Sequence, residues 1–430
     1  MPLGFQLWLA AAAFIGLIWV VRALVLEVSL RNRQVLGERT YDAPPRPAPR
    51  VSIILAAKDE ERNIEACVTS LLAQDYPDFE IIVVDDRSGD RTPAILRGLA
   101  KLHSQRLRVL RVDSLPEGWF GKHNAVRVGV AASTGEWMLF TDADCRQTSR
   151  RTLSLAMRDA IEHRVQFLSI IPTLESRTVW ERILQPVCAI VLISWFRPRR
   201  VNDPRLPTAY ANGAFMLMSR SCYNDIGGHE AVRTRINEDV HLARLAKRRG
   251  WWLRVVEGDG LYLVRMYDSF AGAFHGWSRI FYGCLDRPAS VASAMNTIVI
   301  AVIVPWISFL IAVLGAILAA PAGDHRWLWA CLGWGVVVIL LQTVTGRLYV
   351  AAHYGLAWSL AYLPGGIITA GALLNALLKS LGLTRTTWRQ TTYSPSSSAG
   401  SQTDERPSTC EPGAPARRGP AVGYSRDTMT

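Results

Sequence analysis

Four stretches of this 430-residue sequence are apolar and long enough to cross a lipid bilayer, and this feature constrains the architecture most. They cover residues 5–21, 291–320, 327–345 and 355–378. No basic residue precedes the first stretch, unlike in a cleavable signal peptide. We therefore predict an N-terminal transmembrane anchor over residues 1–27 and C-terminal membrane helices over residues 291–378.

The basic residues indicate how these helices are oriented. Residues 28–49 form an arginine-rich linker, which by the positive-inside rule places the following domain in the cytoplasm and the N-terminus outside. Four full spans would leave the C-terminus outside, but the basic juxtamembrane segment 379–393 favours the cytoplasm. One segment is therefore expected to be re-entrant or interfacial, and Pro364-Gly365-Gly366 makes the last stretch the candidate. The sequence predicts a multi-pass protein of the cell's inner (plasma) membrane whose central domain, residues 50–267, is cytoplasmic.

Composition excludes several other classes of protein. The net charge is +12, from 48 Lys and Arg against 36 Asp and Glu. Such a charge suits nucleic acid or an anionic membrane, and the apolar stretches favour the lipid bilayer as partner, with no nucleic acid. The seven cysteines form no CxxC or Cys/His cluster, which argues against a structural zinc site and a full disulfide framework. Residues 394–430 are rich in Ser, Pro, Gly and Arg and predict a disordered tail.

The middle of the chain, residues 50–267, has the pattern of an α/β domain. Apolar, β-branched runs alternate with helical patterns, as in a doubly wound, mostly parallel sheet. Strands are predicted at 51–57, 80–86, 107–110 and 136–141, and helices at 63–74 and 92–102. Because such sheets bind ligands beyond the carboxyl ends of their strands, residues that follow a strand are the candidates for a site.

Acidic residues follow two of these strands and open a later helix. Asp85-Asp86 ends one strand, where carboxylates could bind a base or ribose or simply cap a helix. In Asp142-Ala143-Asp144 the two carboxylates share one face of an extended segment, an oxygen site suited to Mg²⁺ or Mn²⁺, although this motif alone is weak. Glu238-Asp239 follows Asn237 at a helix start and reads either as ordinary capping or as a catalytic base.

Two glycine-containing segments lie between the acidic clusters. Lys122 follows a glycine and could contact a diphosphate as a point charge, or be a solvated loop lysine. Its neighbour His123 is interpreted as a surface histidine. The small-residue turn Asn212-Gly213-Ala214 could let a substrate approach the backbone.

Taken together, these motifs resemble the family 2 glycosyltransferases of GT-A fold over about residues 50–290. The resemblance rests on residues 51–63, Gln74-Asp75-Tyr76-Pro77, Asp85-Asp86-Arg87-Ser88, Asp142-Ala143-Asp144 and Glu238-Asp239, in the family's order. It implies a nucleotide-diphospho-sugar transferase domain flanked by N- and C-terminal transmembrane helices.

The resemblance also implies roles for individual residues. The residues that would bind the nucleotide and the sugar donor are Ala57, Glu60, Asp85, Asp86, Lys122 and Asp142. Asp144, with Asp142, would bind the metal and the sugar diphosphate, and Asp239 would be the base of an inverting transfer, next to Glu238. The donor implied by the family is a UDP-sugar.

The narrower resemblance is to bacterial carotenoid glucosyltransferases and to hopanoid-associated and ceramide-type transferases, which share a lipid acceptor. Polysaccharide synthases carry a Q-x-x-R-W element, of which Arg279 alone has a counterpart here, in Gly276-Trp277-Ser278-Arg279. That departure favours single transfer to the hydroxyl of a membrane lipid, with Arg279 touching the diphosphate. A processive synthase and a non-catalytic nucleotide-binding scaffold stay open as alternatives.

Two segments are expected to bring the lipid to the site. Residues 268–290 carry an aromatic stripe at helical spacing, and residues 187–196 are nearly all apolar and precede a run of arginines at 197–200. Both patterns suit amphipathic helices in the membrane interface, or helices that pack on the sheet as ordinary core.

Overall fold

The central domain is organised around one twisted sheet. A computed structural model describes residues 2–37, 43–322, 324–384, 386–388 and 391–393 of the chain. The strands of the domain are β1 (Val51–Ala57), β2 (Phe79–Asp86), β3 (Leu107–Val112), β4 (Trp137–Asp142), β5 (Cys145–Gln147), β6 (Phe167–Ile171), β7 (Thr173–Leu174), β8 (Met216–Ser219), β9 (Leu253–Glu257) and β10 (Tyr262–Val264). Within the described chain the main sheet has the order β3-β2-β1-β4-β8-β6-β9, and β5, β10 and β7 form a small second sheet.

The pairing makes the main sheet mostly parallel, as predicted. Strands β3, β2, β1 and β4 are parallel, β8 runs antiparallel to both its neighbours, and β6 and β9 are parallel. The central strands are buried on both faces, which explains their continuous runs of Val, Ile and Leu. The register pairs Ala57 with Asp85 and Ala56 with Asp142, so the carboxyl ends of β1, β2 and β4 form one edge.

Helices cover both faces of this sheet. Those of the domain are α2 (Ile64–Leu72), α3 (Thr92–Leu102), α4 (Gly121–Ala131), α5 (Thr152–Glu162), α6 (Val179–Trp195), α7 (Pro198–Val201), α8 (Arg220–Asp225) and α9 (Glu238–Arg248), and an N-terminal helix, α1 (Leu3–Arg31), precedes them. After the domain come α10 (Phe270–Leu285), α11 (Pro288–Ile298), α12 (Val304–Ala319), α13 (Arg326–Ala351), α14 (Tyr362–Ser380) and the short strands β11 (Thr386–Trp388) and β12 (Thr391–Tyr393). The predicted tail, 394–430, lies outside the described residues.

Five segments of the described chain are helical, long and apolar enough to cross a membrane. They are Leu3–Arg31, Val179–Val201, Pro288–Ala319, Arg326–Ala351 and Leu356–Ser380. Four correspond to the predicted stretches. The remaining one, Val179–Val201, includes the residues 187–196 that the sequence assigned to the interface, and half of its most apolar window is buried within the protein.

The N-terminal helix packs against the C-terminal helices. The indole Nε1 of Trp19 donates a hydrogen bond to the carbonyl oxygen of Ala301 at 2.9 Å. The indole of Trp8 lies 5.9 Å from that of Trp334, between ring centroids, and Arg347 pairs with Glu27 at 2.8 Å. The N-terminal helix and the C-terminal helices therefore form one helical bundle beside the central domain.

Two sequence patterns have a packing role in the structure. Pro364-Gly365-Gly366 lies in the first turn of the continuous helix α14, where a Cβ on Gly365 would overlap the backbone of α6 at Ile183. These glycines allow close helix packing. In α10, Trp277 and Phe281 of the aromatic stripe are 3% and 0% exposed and belong to the core, whereas Phe270 is 44% exposed.

Candidate active site

The carboxyl edge of the sheet carries the first two predicted acids. Asp85 is 2% exposed, and its carboxylate accepts hydrogen bonds from the backbone N–H of Ser88 at 3.2 Å and from Arg111 at 2.7 Å. Asp86 accepts two bonds from the guanidinium of Arg87, at 2.8 and 3.0 Å. Both carboxylates are thus fixed in place, because charge-assisted hydrogen bonds hold them from several directions.

The loop after β1 faces the same edge. Ala57, the last residue of β1, is buried next to Asp85. Glu60 donates its backbone N–H to Thr92 Oγ1 at 2.8 Å, and its carboxylate accepts from Asn63 at 3.0 Å. The residues expected to hold the nucleotide, namely Ala57, Glu60, Asp85 and Asp86, are therefore brought to one edge of the sheet.

Lys122 lies at the centre of a chain of alternating charges. Its Nζ is 2.7 Å from Asp142 Oδ1 and 2.6 Å from Glu238 Oε1. Burial acts to lower the pKa of this ammonium group, but the two carboxylates raise it above its ordinary value. The solvated loop lysine considered as an alternative is therefore wrong, because Lys122 is three-quarters buried and doubly paired.

Glu238 and His123 continue the chain of charges. Glu238 is 5% exposed, and its Oε2 is 3.3 Å from His123 Nε2. Burial alone would raise the pKa of Glu238, yet Lys122 and His123 lower it well below its usual range. The interpretation of His123 as a surface histidine is wrong, since the residue is 2% exposed.

Asp239 is the acid that faces the open part of the site. Its Oδ2 accepts the backbone N–H of Gly213 at 2.9 Å, and its Oδ1 accepts that of Val240 at 2.7 Å. Burial, followed by the negative charge of Glu238, raises the pKa of Asp239 to about 7. A carboxylate with such a pKa can accept a proton at neutral pH, as a general base must.

Asp142 and Asp144 form the candidate metal site. Burial, then the charges of Asp142 and Glu60, raise the pKa of Asp144 to about 7. Two repelling carboxylates are stabilised by a dication, and Mg²⁺ typically binds one or two carboxylates together with substrate phosphates. Among the described residues no group of three His, Cys, Asp or Glu side chains is arranged to hold a metal. The pair offers carboxylate oxygens, the ligand type that Mg²⁺ and Mn²⁺ prefer.

Gly213 marks the point where the charged groups converge. A Cβ atom on this residue would lie 3.4 Å from Asp239 Oδ2, 3.5 Å from Lys122 Nζ and 3.7 Å from Asp142 Oδ2. The small-residue turn therefore leaves room beside Asp239, Lys122 and Asp142. That a substrate approaches the backbone here stays a prediction.

A cavity of about 1340 Å³ connects these charged groups to the apolar helices. At one end it is lined by Lys122, Asp142, Asp144, Glu238 and Asp239. At the other it is lined by residues of α1, α6 and α13, with Arg279 of α10 and the arginines at 197, 199 and 200 also on its wall. One cavity thus brings the charged groups at the sheet together with apolar residues of three long helices and with several arginines.

Sequence reasoning missed two residues that shape this site. Asn237 was read as a helix cap, but its side chain makes no capping hydrogen bond and instead donates to Ile280 O on α10, at 3.1 Å. Tyr210 lines the cavity and stacks on Phe196 at the end of α6, with ring centroids 5.3 Å apart. A single Asn or Tyr in an irregular segment belongs to no periodic pattern, so the sequence could not have predicted either contact.

Comparison with known proteins agrees with these features. Residues 52–227 match the family described as Glycosyl transferase family 2. Beta-monoglucosyldiacylglycerol synthase from Synechocystis sp. is 36% identical over 232 residues, covering 49% of this chain and 45% of that protein. 4,4'-diaponeurosporenoate glycosyltransferase from Staphylococcus haemolyticus is 24% identical over 232 residues, covering 53% and 60%. The chain thus matches about half the length of these curated relatives.

The fold also has a counterpart among solved structures. Mannosyltransferase PcManGT from Pyrobaculum calidifontis, in complex with GDP-Man and Mn2+, is 19% identical with a TM-score of 0.51. The likeness covers 87% of this chain and 99% of that one. It confirms the predicted GT-A architecture.

Proposed function

We propose that this chain, whose residues 52–227 form a glycosyl transferase family 2 domain, transfers a sugar from a nucleotide-sugar donor to the hydroxyl of a membrane lipid. We further propose a UDP-sugar as donor, inversion at the anomeric carbon, and dependence on Mg²⁺ or Mn²⁺. The proposal includes a domain on the cytoplasmic face of the plasma membrane, and the arginine-rich segments support this orientation by the positive-inside rule.

The observation that carries the proposal is the cavity that joins two chemically different regions. Its charged end holds a candidate base, a lysine and a carboxylate pair, which suits a sugar diphosphate. Its apolar end is lined by helices that are long enough to enter a bilayer. A lipid could therefore reach Asp239 without leaving an apolar environment. One relative is named as a monoglucosyldiacylglycerol synthase and the other as a diaponeurosporenoate glycosyltransferase. Both names support the same class of acceptor.

In this mechanism the residues of the chain bind, orient and move one proton. The acceptor hydroxyl lies near Gly213 and gives its proton to the carboxylate of Asp239. The acceptor oxygen forms a bond to the anomeric carbon while the bond from that carbon to the diphosphate oxygen breaks. Lys122 and Arg279 lie on the cavity wall, where their positive charges stabilise the departing diphosphate.

Asp142 and Asp144 would hold the metal in this proposal. When bound, it would supply positive charge that neutralises the leaving nucleoside diphosphate. Asp142 is paired with Lys122, so the lysine and the carboxylate pair would face the same diphosphate from adjacent positions.

The experiment that tests the function uses the full chain in lipid nanodiscs with radiolabelled UDP- and GDP-sugars. Reactions contain EDTA, Mg²⁺ or Mn²⁺ and extracted membrane lipids, and organic and aqueous phases are counted separately. We expect label in a small organic-soluble product with metal and none with EDTA. Label in a large aqueous product would indicate a polysaccharide synthase, and binding of donor without any transfer would indicate a scaffold.

A further inference from the structure

His123 lies in a buried position between two oxygen atoms. Its Nδ1 is 3.2 Å from the backbone carbonyl oxygen of Arg233, and its Nε2 is 3.3 Å from Glu238 Oε2. The residue is 2% exposed, so solvent does not compete for either contact. Both ring nitrogens therefore depend on these two oxygens for hydrogen bonding.

The hydrogen-bonding capacity of these groups determines where the protons are. A carbonyl oxygen can only accept, so Nδ1 must carry a proton. An ionised carboxylate can also only accept, and Lys122 at 2.6 Å keeps Glu238 ionised. In either neutral tautomer one ring nitrogen would present a lone pair to an oxygen lone pair. Only the imidazolium, with both nitrogens protonated, satisfies both contacts.

We propose that His123 is a positioning residue for the sugar transfer, a role that rests on the proposed function. As an imidazolium it holds Glu238 through Oε2 while Lys122 holds Oε1, and it balances the charge of Glu238 beside Asp239. Asp142, Lys122, Glu238 and His123 then form a row of alternating charges without net charge. Glu238 and His123 are its buried members, and buried ions require such pairing.

The other groups that face His123 are compatible with its positive charge. The ring of Phe120 lies 5.3 Å away between centroids, and that of His229 lies 6.2 Å away. His229 is 1% exposed and its Nδ1 contacts the hydroxyl of Tyr223 at 3.0 Å. Burial, followed by the charge of His123, lowers the pKa of His229 to about 3, so this second histidine stays neutral.

The first test is the pH profile of kcat/KM in the full chain with His123→Gln. Glutamine can donate to Glu238 but carries no charge, so Asp239 would bind its proton more tightly. We expect the rising limb to move upward by roughly half a pH unit to one unit. The matched control is His163→Gln, which alters a histidine 3.3 Å from Asp159 on α5 and should leave the profile unchanged. A His123→Gln profile that coincides with the wild type overturns the proposal.

The second test measures the protonation of the His123 ring directly by NMR and does not depend on sugar transfer. Lys122-His123 is the one Lys-His pair in the sequence, so ¹³C-carbonyl lysine identifies the backbone amide of His123. With uniformly ¹³C,¹⁵N-labelled histidine, the side-chain carbons link that amide to the two ring nitrogens of His123. We expect one-bond N–H couplings on both ring nitrogens at pH 7, and an unprotonated Nε2 overturns the proposal. This result can be read even if the glutamine variant misfolds. Should the chain transfer no sugar at all, the proposed function fails while the protonation of His123 is still decided.

Discussion

At the scale of single residues, Asp239 combines a carboxylate with an environment that disfavours its charge. Two backbone N–H groups hold the side chain, but burial and the neighbouring Glu238 raise its pKa to about 7. The group therefore changes its charge in the physiological range, unlike an ordinary aspartate.

The first prediction concerns this carboxylate. Because the base must be deprotonated, kcat/KM should rise with pH through an apparent pKa of about 7 and level off above it. Asp239→Asn should lower kcat by about 10²- to 10⁴-fold. Its Tm at pH 8 should not fall below that of the wild type, because the variant removes a buried charge. A variant with wild-type turnover would exclude Asp239 as the base.

The second prediction concerns Gly121, the first residue of α4. A Cβ on this residue would overlap Asp86 Oδ2 and lie 3.1 Å from the guanidinium of Arg87. Gly121→Ala should displace the Asp86 carboxylate and raise the KM for the donor by about tenfold, since overpacking costs about 1–3 kcal/mol. The control is Gly89→Ala in the neighbouring loop, where a Cβ would meet open space. Equal donor KM values for the two variants would argue against a nucleotide site at Asp86.

The site residues show what a sequence can and cannot predict at this scale. Asp142 ends β4 and Asp144 follows it, and Asp239 lies in the first turn of α9, where the sequence pattern predicted them. Their roles stay predictions. His123 was misread because its burial depends on the turn at Gly228–Glu230, more than 100 positions away in the chain. Local spacing carries no information on such a contact.

At the scale of elements, α10 lies between the C-terminal helices and the segment that carries Asp239. Asn237, just before α9, donates to Ile280 O and contacts Cys284 Sγ at 3.0 Å. Gly283 makes this approach feasible, because a Cβ there would lie 2.7–2.9 Å from the side-chain atoms of Asn237. The position of Asp239 is therefore coupled to α10.

The third prediction follows from this contact. Gly283→Ala should force Asn237 away and destabilise the protein by about 1–3 kcal/mol, measured as a lower Tm, with reduced transfer to lipid. The control is Gly98→Ala in α3, where a Cβ has open space, so stability should be unchanged or slightly higher. A Tm for Gly283→Ala equal to that of the control would contradict the coupling.

The elements themselves were predictable to different degrees. The strands β1, β2 and β4 followed from continuous runs of buried aliphatic residues. The aromatic stripe of α10 did not reveal that Phe281 is fully buried, because an interface helix and a core helix share the same periodicity. Likewise, Pro364-Gly365-Gly366 suggested a re-entrant segment in the sequence. In the structure these residues lie within the continuous helix α14, where Gly365 allows close packing against α6.

At the scale of the whole molecule, the cavity wall is assembled from distant parts of the chain. Part of the cavity, called here the apolar arm, is lined by residues of α1, α6 and α13. In the sequence, α1 precedes the strands of the sheet, α6 lies between two of them, and α13 follows them. An acceptor lipid in this arm would contact all three.

The fourth prediction separates the lipid arm from the donor end. Ala189 of α6 lines the cavity, so Ala189→Trp should fill the apolar arm and raise the lipid KM at least tenfold, or about 1.4 kcal/mol. The donor KM should be unchanged. The control is Val179→Trp on the same helix, at a residue that is 63% exposed and does not line the cavity. If Ala189→Trp changed the donor KM alone, the lipid would have to enter elsewhere.

The pairing of α1 with α13 also has a consequence for biosynthesis. The first residue of α13 leaves the ribosome about 300 residues after the last residue of α1, a delay of roughly 15–60 s at typical rates of translation. During that time the N-terminal helix lacks the indole of Trp334 in α13, which lies against its Trp8. The sheet can fold in the meantime, but the cavity lacks the part of its wall that α13 supplies. A chain that ended before α13 would therefore hold the charged residues of the cavity without its complete apolar wall.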